Sequence, residues 1–313
     1  MNLAVMRISY RDGDMVKEST RNVFKMHGWR VDRAIHNYIY FTFYDAYVVA
    51  FLFLGHLLAR WASTLKVSGS MFKMVFNRYH AKVLTQEDAA KILTLKEDVD
   101  VGPDPTERII PFPYANQIIL REPEFIAVMD CPCRLARENP CEPVDVCMAV
   151  GRTTAQFWLE HGQRFHARKI TQEEALQKLR EGHERGHATT AFFKVATGGR
   201  TGVICSYCSC CCGSMEGDRL VKKFKGCEET RMIVPSGYSA AIDREKCAAC
   251  GDCASLCNFD AISLDDGLVL QNELACAGCG ICVEKCEHGA RSLVADPAGS
   301  LPLDIDLVIE KLG

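Results

Sequence analysis

The longest apolar run of the chain, Ile39–Ala59 (IYFTFYDAYVVAFLFLGHLLA), extends for 21 residues, the length of a membrane-spanning helix. Asp45 and His56 interrupt it, and a carboxylate is costly in lipid. Tyr38, Thr42, Asp45, His56 and Arg60 follow one another at steps of 4, 3, 11 and 4, so they fall near one helical stripe. That pattern predicts a helix lying in a membrane interface, or packed on protein with one polar edge. A second apolar run, Met71–Tyr79, favours the in-plane arrangement. Lys25, Arg30 and Arg33 precede the long run and Arg60, Lys66 and Lys73 follow it, so basic flanks give no orientation. Residues 1–80 are expected to form a basic, aromatic, helical segment that meets a membrane surface or a partner protein.

From residue 81 the patterns shorten. Thr85 with Asp88, and Thr171 with Glu174, have the spacing of capping boxes, and each predicts a helix start. Gly102-Pro103-Asp104-Pro105 reads as a loop. Phe125–Met129 is a short apolar run that predicts a buried strand leading to Cys131. Thr189–Val195 and Thr201–Cys205, joined through Gly198-Gly199, predict a hairpin. Residues 228–237 read as a connector. The expected fold is α+β. A helical N-terminal segment (1–80) precedes an α/β domain with a cysteine-rich metal site (81–237). A small cysteine-rich module (238–294) and a tail (295–313) follow.

The 313 residues are enough for more than one domain. Residues 1–82 hold 12 Lys+Arg and 5 Asp+Glu, a net of +7, and the remainder hold 25 and 35, a net of −10. The sequence pI near 6.3 argues against nucleic acid as a partner. The basic first quarter suits an anionic surface. Eighteen cysteines exceed what packing requires. No apolar leader is visible in Met1–Asp14. Reduced, metal-bound thiolates in the cytoplasm, with attachment to the cytoplasmic face of the membrane, are therefore expected rather than disulfides.

Eight cysteines form a duplicated pattern. Cys247-x2-Cys250-x2-Cys253-x3-Cys257 is repeated 29 residues later as Cys276-x2-Cys279-x2-Cys282-x3-Cys286. A four-iron cube needs one thiolate at each corner, and three closely spaced cysteines can wrap three corners. These 57 residues resemble the bacterial two-[4Fe-4S] ferredoxins. The resemblance implies that the last cysteine of each run serves the other cluster. Cys247, Cys250, Cys253 and Cys286 would then hold one cluster, and Cys276, Cys279, Cys282 and Cys257 the other. Asn258 and Glu287 stand where the family has proline. The module carries four basic and nine acidic residues, which points to low reduction potentials.

Nine further cysteines lie upstream in two groups: Cys131, Cys133, Cys141 and Cys147, then Cys205, Cys208, Cys210, Cys211 and Cys212. Cys227 stands alone. Polar, Pro-punctuated surroundings such as RLARENPCEP exclude a plain core role. At least one further iron–sulfur cluster is expected here, with zinc as the alternative. Each group could hold its own centre, or both could converge. Arg134, Arg137 and Arg152 lie near the first group in sequence and could balance thiolate charge. As a whole, residues 81–237 resemble poorly characterised ferredoxin-domain proteins of anaerobic bacteria. His183-Glu184-Arg185-Gly186-His187 matches the H-E-x-x-H pattern of zinc peptidases. Gly182 and Gly186 weaken a helix there, so a solvated helix end is the expected reading. No phosphate-binding loop, dinucleotide fingerprint or serine nucleophile elbow occurs.

The functional expectation is a multi-cluster protein passing single electrons between a redox partner and an acceptor. The alternatives are a reductase whose catalytic cluster lies in residues 131–212, and a redox-sensing or assembly protein.

Overall fold

The computed structural model describes residues 17–65, 79–111, 118–194, 202–224, 230–296 and 299–312. Three helices come first: α1 (Glu18–His27), α2 (Val31–Thr42) and α3 (Tyr44–Leu65). The apolar run is thus not one helix. It breaks at Phe43, and the two arms meet at 100°. Arg164 holds both sides of the break, donating to the Thr42 carbonyl at 3.5 Å and pairing with Asp45 at 2.6 Å. His56 pairs with Glu216 at 2.6 Å. Both polar interruptions therefore bind protein partners.

Tyr40, Tyr44, Val48 and Leu52 are buried in the core below these helices. Ile39, Phe43, Val49, Phe53 and Leu54 face outward, with Phe53 at 70% exposure. Among the described residues no single helix is long and apolar enough to cross a membrane. Apart from Tyr79, the run Met71–Tyr79 lies outside the described residues.

Nine strands follow: β1 (Tyr79–Leu84), β2 (Val99–Val101), β3 (Ile118–Leu120), β4 (Ile126–Met129), β5 (Cys147–Val150), β6 (Arg168–Ile170), β7 (Ala188–Lys194), β8 (Val203–Tyr207) and β9 (Ile233–Val234). Seven of them form one sheet in the order β6-β4-β5-β8-β7-β1-β9. All its pairings are antiparallel except β1 with β9. The strand expected at 125–129 and the antiparallel pair of the hairpin are present. The Gly198-Gly199 link lies outside the described residues. Residues 228–237, read as a connector, include the edge strand β9.

Alternation sorts the sheet residues onto two faces. Ala127, Met129, Cys147, Ala149, Val203, Cys205 and Tyr207 pack on one face, under α2 and α3. Ile126, Val128, Met148, Val150 and Ile204 pack on the other. The upstream cysteines on strands therefore share the face roofed by the N-terminal helices.

The domain's helices are α4 (Gln86–Leu93), α5 (Pro103–Ile109), α6 (Pro132–Leu135), α7 (Arg152–His161), α8 (Gln172–Glu184) and α9 (Gly213–Val221). Thr85 and Thr171 cap α4 and α8 as expected, accepting from Asp88 N and Glu174 N at 3.1 Å. The Gly102–Pro105 stretch is not a loop throughout, because α5 begins at Pro103. Proline suits the first helical turn, where its missing N–H has no intrahelical partner.

The C-terminal part contains β10 (Tyr238–Ile242), α10 (Asp252–Ser255), β11 (Ile262–Asp265), β12 (Leu268–Gln271), α11 (Ile281–Glu284) and β13 (Arg291–Ala295). β10 pairs with β13 and β11 with β12, both antiparallel. The last helix, α12 (Ile305–Leu312), lies in the segment read as a tail. It is docked: Leu303, Ile305 and Val308 are buried in the lower core, and Lys91 pairs with Asp304 and Asp306 at 3.0 and 3.1 Å.

Candidate metal centres

The two C-terminal cysteine runs have matching backbones. Each passes through a left-handed glycine, Gly251 or Gly280 with φ of +85°, into a one-turn helix, α10 or α11. Their last cysteines accept equivalent amide bonds: Ala261 N donates to Cys257 Sγ at 3.3 Å, and Ala290 N to Cys286 Sγ at 3.4 Å. Cys247, Cys250, Cys253 and Cys286 line one cavity. Arg291 donates to Cys253 Sγ at 3.3 Å. Burial pushes the Cys279 thiol up to about 12, and Cys282, Cys257 and Cys276 add to the shift. Burial likewise raises Cys282 to about 11, with Cys257 again among the nearby thiols. Cys286 thus shares a cavity with the three early cysteines of the first run, and Cys257 is close enough to Cys279 and Cys282 to raise their pKa values.

One equivalent position differs. Gly278 has φ of +64°, and a Cβ there would stand 2.0 Å from the Tyr238 carbonyl oxygen, so only glycine fits. Its counterpart Ala249 also lies at positive φ, +53°. Alanine is strained in that region. Ala249→Gly should stabilise the metal-loaded chain by about 0.5–1 kcal/mol, after the entropy cost of glycine. Anaerobic thermal unfolding measures this, and a lower midpoint in the variant would contradict it.

The nine upstream thiols intermix across their two sequence groups. Cys141 leaves its neighbours and joins Cys208, Cys210 and Cys211, all four Sγ atoms lying within 4.8 Å of one another. Cys141 and Cys208 are 3.4 Å apart, and Cys210 and Cys211 3.3 Å. These four could hold a metal ion. The turn after β8 carries three of them. There Cys212 N bonds Cys208 O at 3.2 Å and leads into α9. Burial raises Cys141 well above its ordinary range and Cys210 to about 11. Cys211 is buried too, but the Cys141 N–H and the neighbouring thiols hold it below its usual value. Cys211 thus deprotonates before Cys141 and Cys210.

The remaining thiols face inward. Cys131, Cys133, Cys147, Cys205 and Cys212 are all buried. Cys147 and Cys205 are register partners on β5 and β8. Cys131 caps α6, and Cys133 lies within it. The start of α9 closes against this group. A Cβ on Gly213 would lie 3.2 Å from Cys133 Sγ and 3.1 Å from Val48 of α3. Cys227 lies outside the described residues.

Arg134 stands beside both groups and is 1% exposed. It donates to the carbonyls of Cys141 (3.3 Å) and Pro143, and to His187 Nδ1 at 3.2 Å. Its Nε has no partner. Burial and the Arg134 charge lower the His187 pKa to about 4, so the imidazole stays neutral and accepts. Arg137 donates to Cys211 O at 3.3 Å and pairs with Glu216. Arg152 is not part of the site; it pairs with Glu122 at 2.5 Å.

The H-E-x-x-H pattern is no zinc grip. Helix α8 ends at Glu184, between the two histidines. Neither histidine is solvated: His183 and His187 are both buried. His183 Nδ1 meets Glu284 of α11 at 3.0 Å, and its Nε2 meets Thr189 at 3.0 Å. Asn258 makes a second bridge. Its Nδ2 donates to Gly186 O at 2.6 Å, and its Oδ1 accepts from Ser209 N at 3.0 Å. The residue next to Cys257 is therefore bonded to the turn that carries Cys208 and Cys210.

No protein-family model matches the chain, and neither a curated protein nor a solved structure matches it.

Proposed function

We propose that the chain is an iron–sulfur electron-transfer protein with two four-iron clusters in residues 238–294 and further metal at the upstream thiols. One cluster is assigned to Cys247, Cys250, Cys253 and Cys286. The other is assigned to Cys276, Cys279, Cys282 and Cys257. The observation that supports this reading is the cavity lined by Cys247, Cys250, Cys253 and Cys286, which brings the last cysteine of one run to the three early cysteines of the other.

Bound there, such clusters supply one-electron, outer-sphere redox chemistry. The chain's own residues do the rest. Ala261 and Ala290 amides and Arg291 donate to cysteine sulfurs, and such bonds stabilise negative charge on them. Tyr40, Tyr44, Val48 and Leu52 keep water from the upstream thiols. Asn258 and His183 fix the C-terminal part against the cysteine turn and α8, which holds the two regions at one separation. Contact with a redox partner or an anionic membrane surface belongs to the same proposal, through the exposed apolar face of α2 and α3.

Anaerobically purified chain should carry about eight iron and eight acid-labile sulfide in the C-terminal runs. Cys257→Ser should damage the centre of Cys276, Cys279 and Cys282, seen as loss of its EPR signal with the other retained. Loss of the centre of Cys247, Cys250 and Cys253 instead would refute the crossed assignment.

A further inference from the structure

The nine upstream thiols differ in spacing, and the difference sorts them. The outer four converge within 4.8 Å. A single tetrahedral ion with metal–sulfur bonds of about 2.3 Å sets its sulfurs about 3.8 Å apart. The 3.4 and 3.3 Å pairs among these four need to open only slightly to meet that spacing.

The inner five are arranged otherwise. Cys147 and Cys205 face each other across β5 and β8, while Cys131 and Cys133 lie at the start of α6. Gly213, the residue after Cys212, stands against Cys133, whose Sγ would be 3.2 Å from a Cβ placed there. Among the described residues, no three of these five sulfurs lie within 4.8 Å of one another. They are gathered on one face of the sheet without converging on a single point. An iron–sulfur cluster bonds its thiolates to different irons and spreads them in this way.

Charge supplies an independent reason for an anion here. Arg134 is permanently cationic, 1% exposed, and pairs with no carboxylate among the described residues. Its Nε is unpartnered. A buried guanidinium that meets only neutral groups is strongly destabilising. Metal-bound thiolates on either side would provide the missing negative charge.

We propose that the upstream thiols build two centres of different kind. A single tetrahedral ion, zinc by its four-thiolate set, is held by Cys141, Cys208, Cys210 and Cys211. A buried iron–sulfur cluster is held by thiolates drawn from Cys131, Cys133, Cys147, Cys205 and Cys212. This rests on the electron-transfer reading and adds a dry cluster beneath α3, screened from solvent by the outer ion.

The test is metal and sulfide analysis of full-length chain purified anaerobically. Wild type should contain about twelve iron and about one zinc. Cys131→Ser/Cys147→Ser should lose about a third of the iron and sulfide and keep the zinc. Cys141→Ser/Cys210→Ser should lose the zinc and keep the iron. Should the first variant not fold, Cys133→Ala/Cys212→Ala carries the same expectation. Loss of the same metal from both classes of variant, or full retention of iron in the inner variants, overturns the two-centre proposal. The C-terminal reading fails separately, if Cys250→Ser/Cys279→Ser leaves iron and sulfide unchanged.

Discussion

Arg134→Met lowers the reduction potential of the upstream cysteine site by about 0.1 V. Adding an electron to a thiolate-bound centre adds negative charge, which a nearby cation favours. At about 6 Å and an effective dielectric constant of about 20, one unit charge contributes roughly 3 kcal/mol. For a one-electron couple that is about 120 mV. Arg134 is suited to this because it is buried, holds the Cys141 carbonyl, and is close enough to Cys208, Cys141, Cys131 and Cys147 for their charges to raise its pKa. Potentiometric titration followed by EPR reads the change. Arg134→Lys keeps the charge and should recover most of the potential, although it cannot reproduce the bonds to two carbonyls and His187. A purely structural arginine would give the opposite pattern: metal loss in both variants and no shift in whatever remained bound.

The parts of the fold that were legible in sequence are those with a local cause. A threonine with an acid three residues later caps a helix whatever surrounds it, and Thr85 and Thr171 do so. The run ending at Met129 is a strand buried on both faces. Ile39–Ala59 misled because its composition fits a single helix. Its break at Phe43 is held by Arg164, more than a hundred residues away. Hydrophobicity alone cannot separate an apolar helix that roofs a protein core from one that lies in lipid. Here the roof is visible in the burial of Tyr40, Tyr44, Val48 and Leu52.

At the site, the cysteines themselves were legible and their grouping was not. Sequence proximity placed Cys141 with Cys131, Cys133 and Cys147. Strand pairing of β5 with β8 sets Cys147 against Cys205 instead, while the Cys208–Cys212 turn draws Cys141 outward. In sequence Arg134 is only a neighbour of cysteines; its burial is a tertiary fact. Asn258 left one signal, the departure from proline, because proline has no side-chain amide to bond Ser209 and Gly186. The histidine pair shows the reverse: a motif match with no metal geometry behind it, since His183 and His187 serve the contacts to Glu284 and Arg134.

The largest effect on stability is expected away from the cysteines, at Lys82. This side chain is fully buried in the middle of β1, and Nζ donates to Ser300 Oγ at 2.8 Å. Burial lowers its pKa to about 7, against a partial counter-effect from Asp88. In the unfolded chain a lysine titrates near 10.4. Between about pH 7 and pH 10.4, the unfolded state holds a proton that the folded state has released, so stability rises with pH across that window. Below about pH 7 the folded chain carries the buried charge, and the full penalty is present. A shift of roughly three units corresponds to about 4 kcal/mol. Lys82→Met keeps the length of the side chain and cannot ionise. It should be more stable than wild type at pH 7, by that amount less about 1 kcal/mol for the lost hydrogen bond. The advantage should shrink by about 3 kcal/mol as the pH is raised to about 9.5. Guanidinium unfolding of both chains under anaerobic conditions at the two pH values measures the difference. Parallel pH dependence in wild type and Lys82→Met would show that the lysine stays protonated in the folded state, compensated by Asp88.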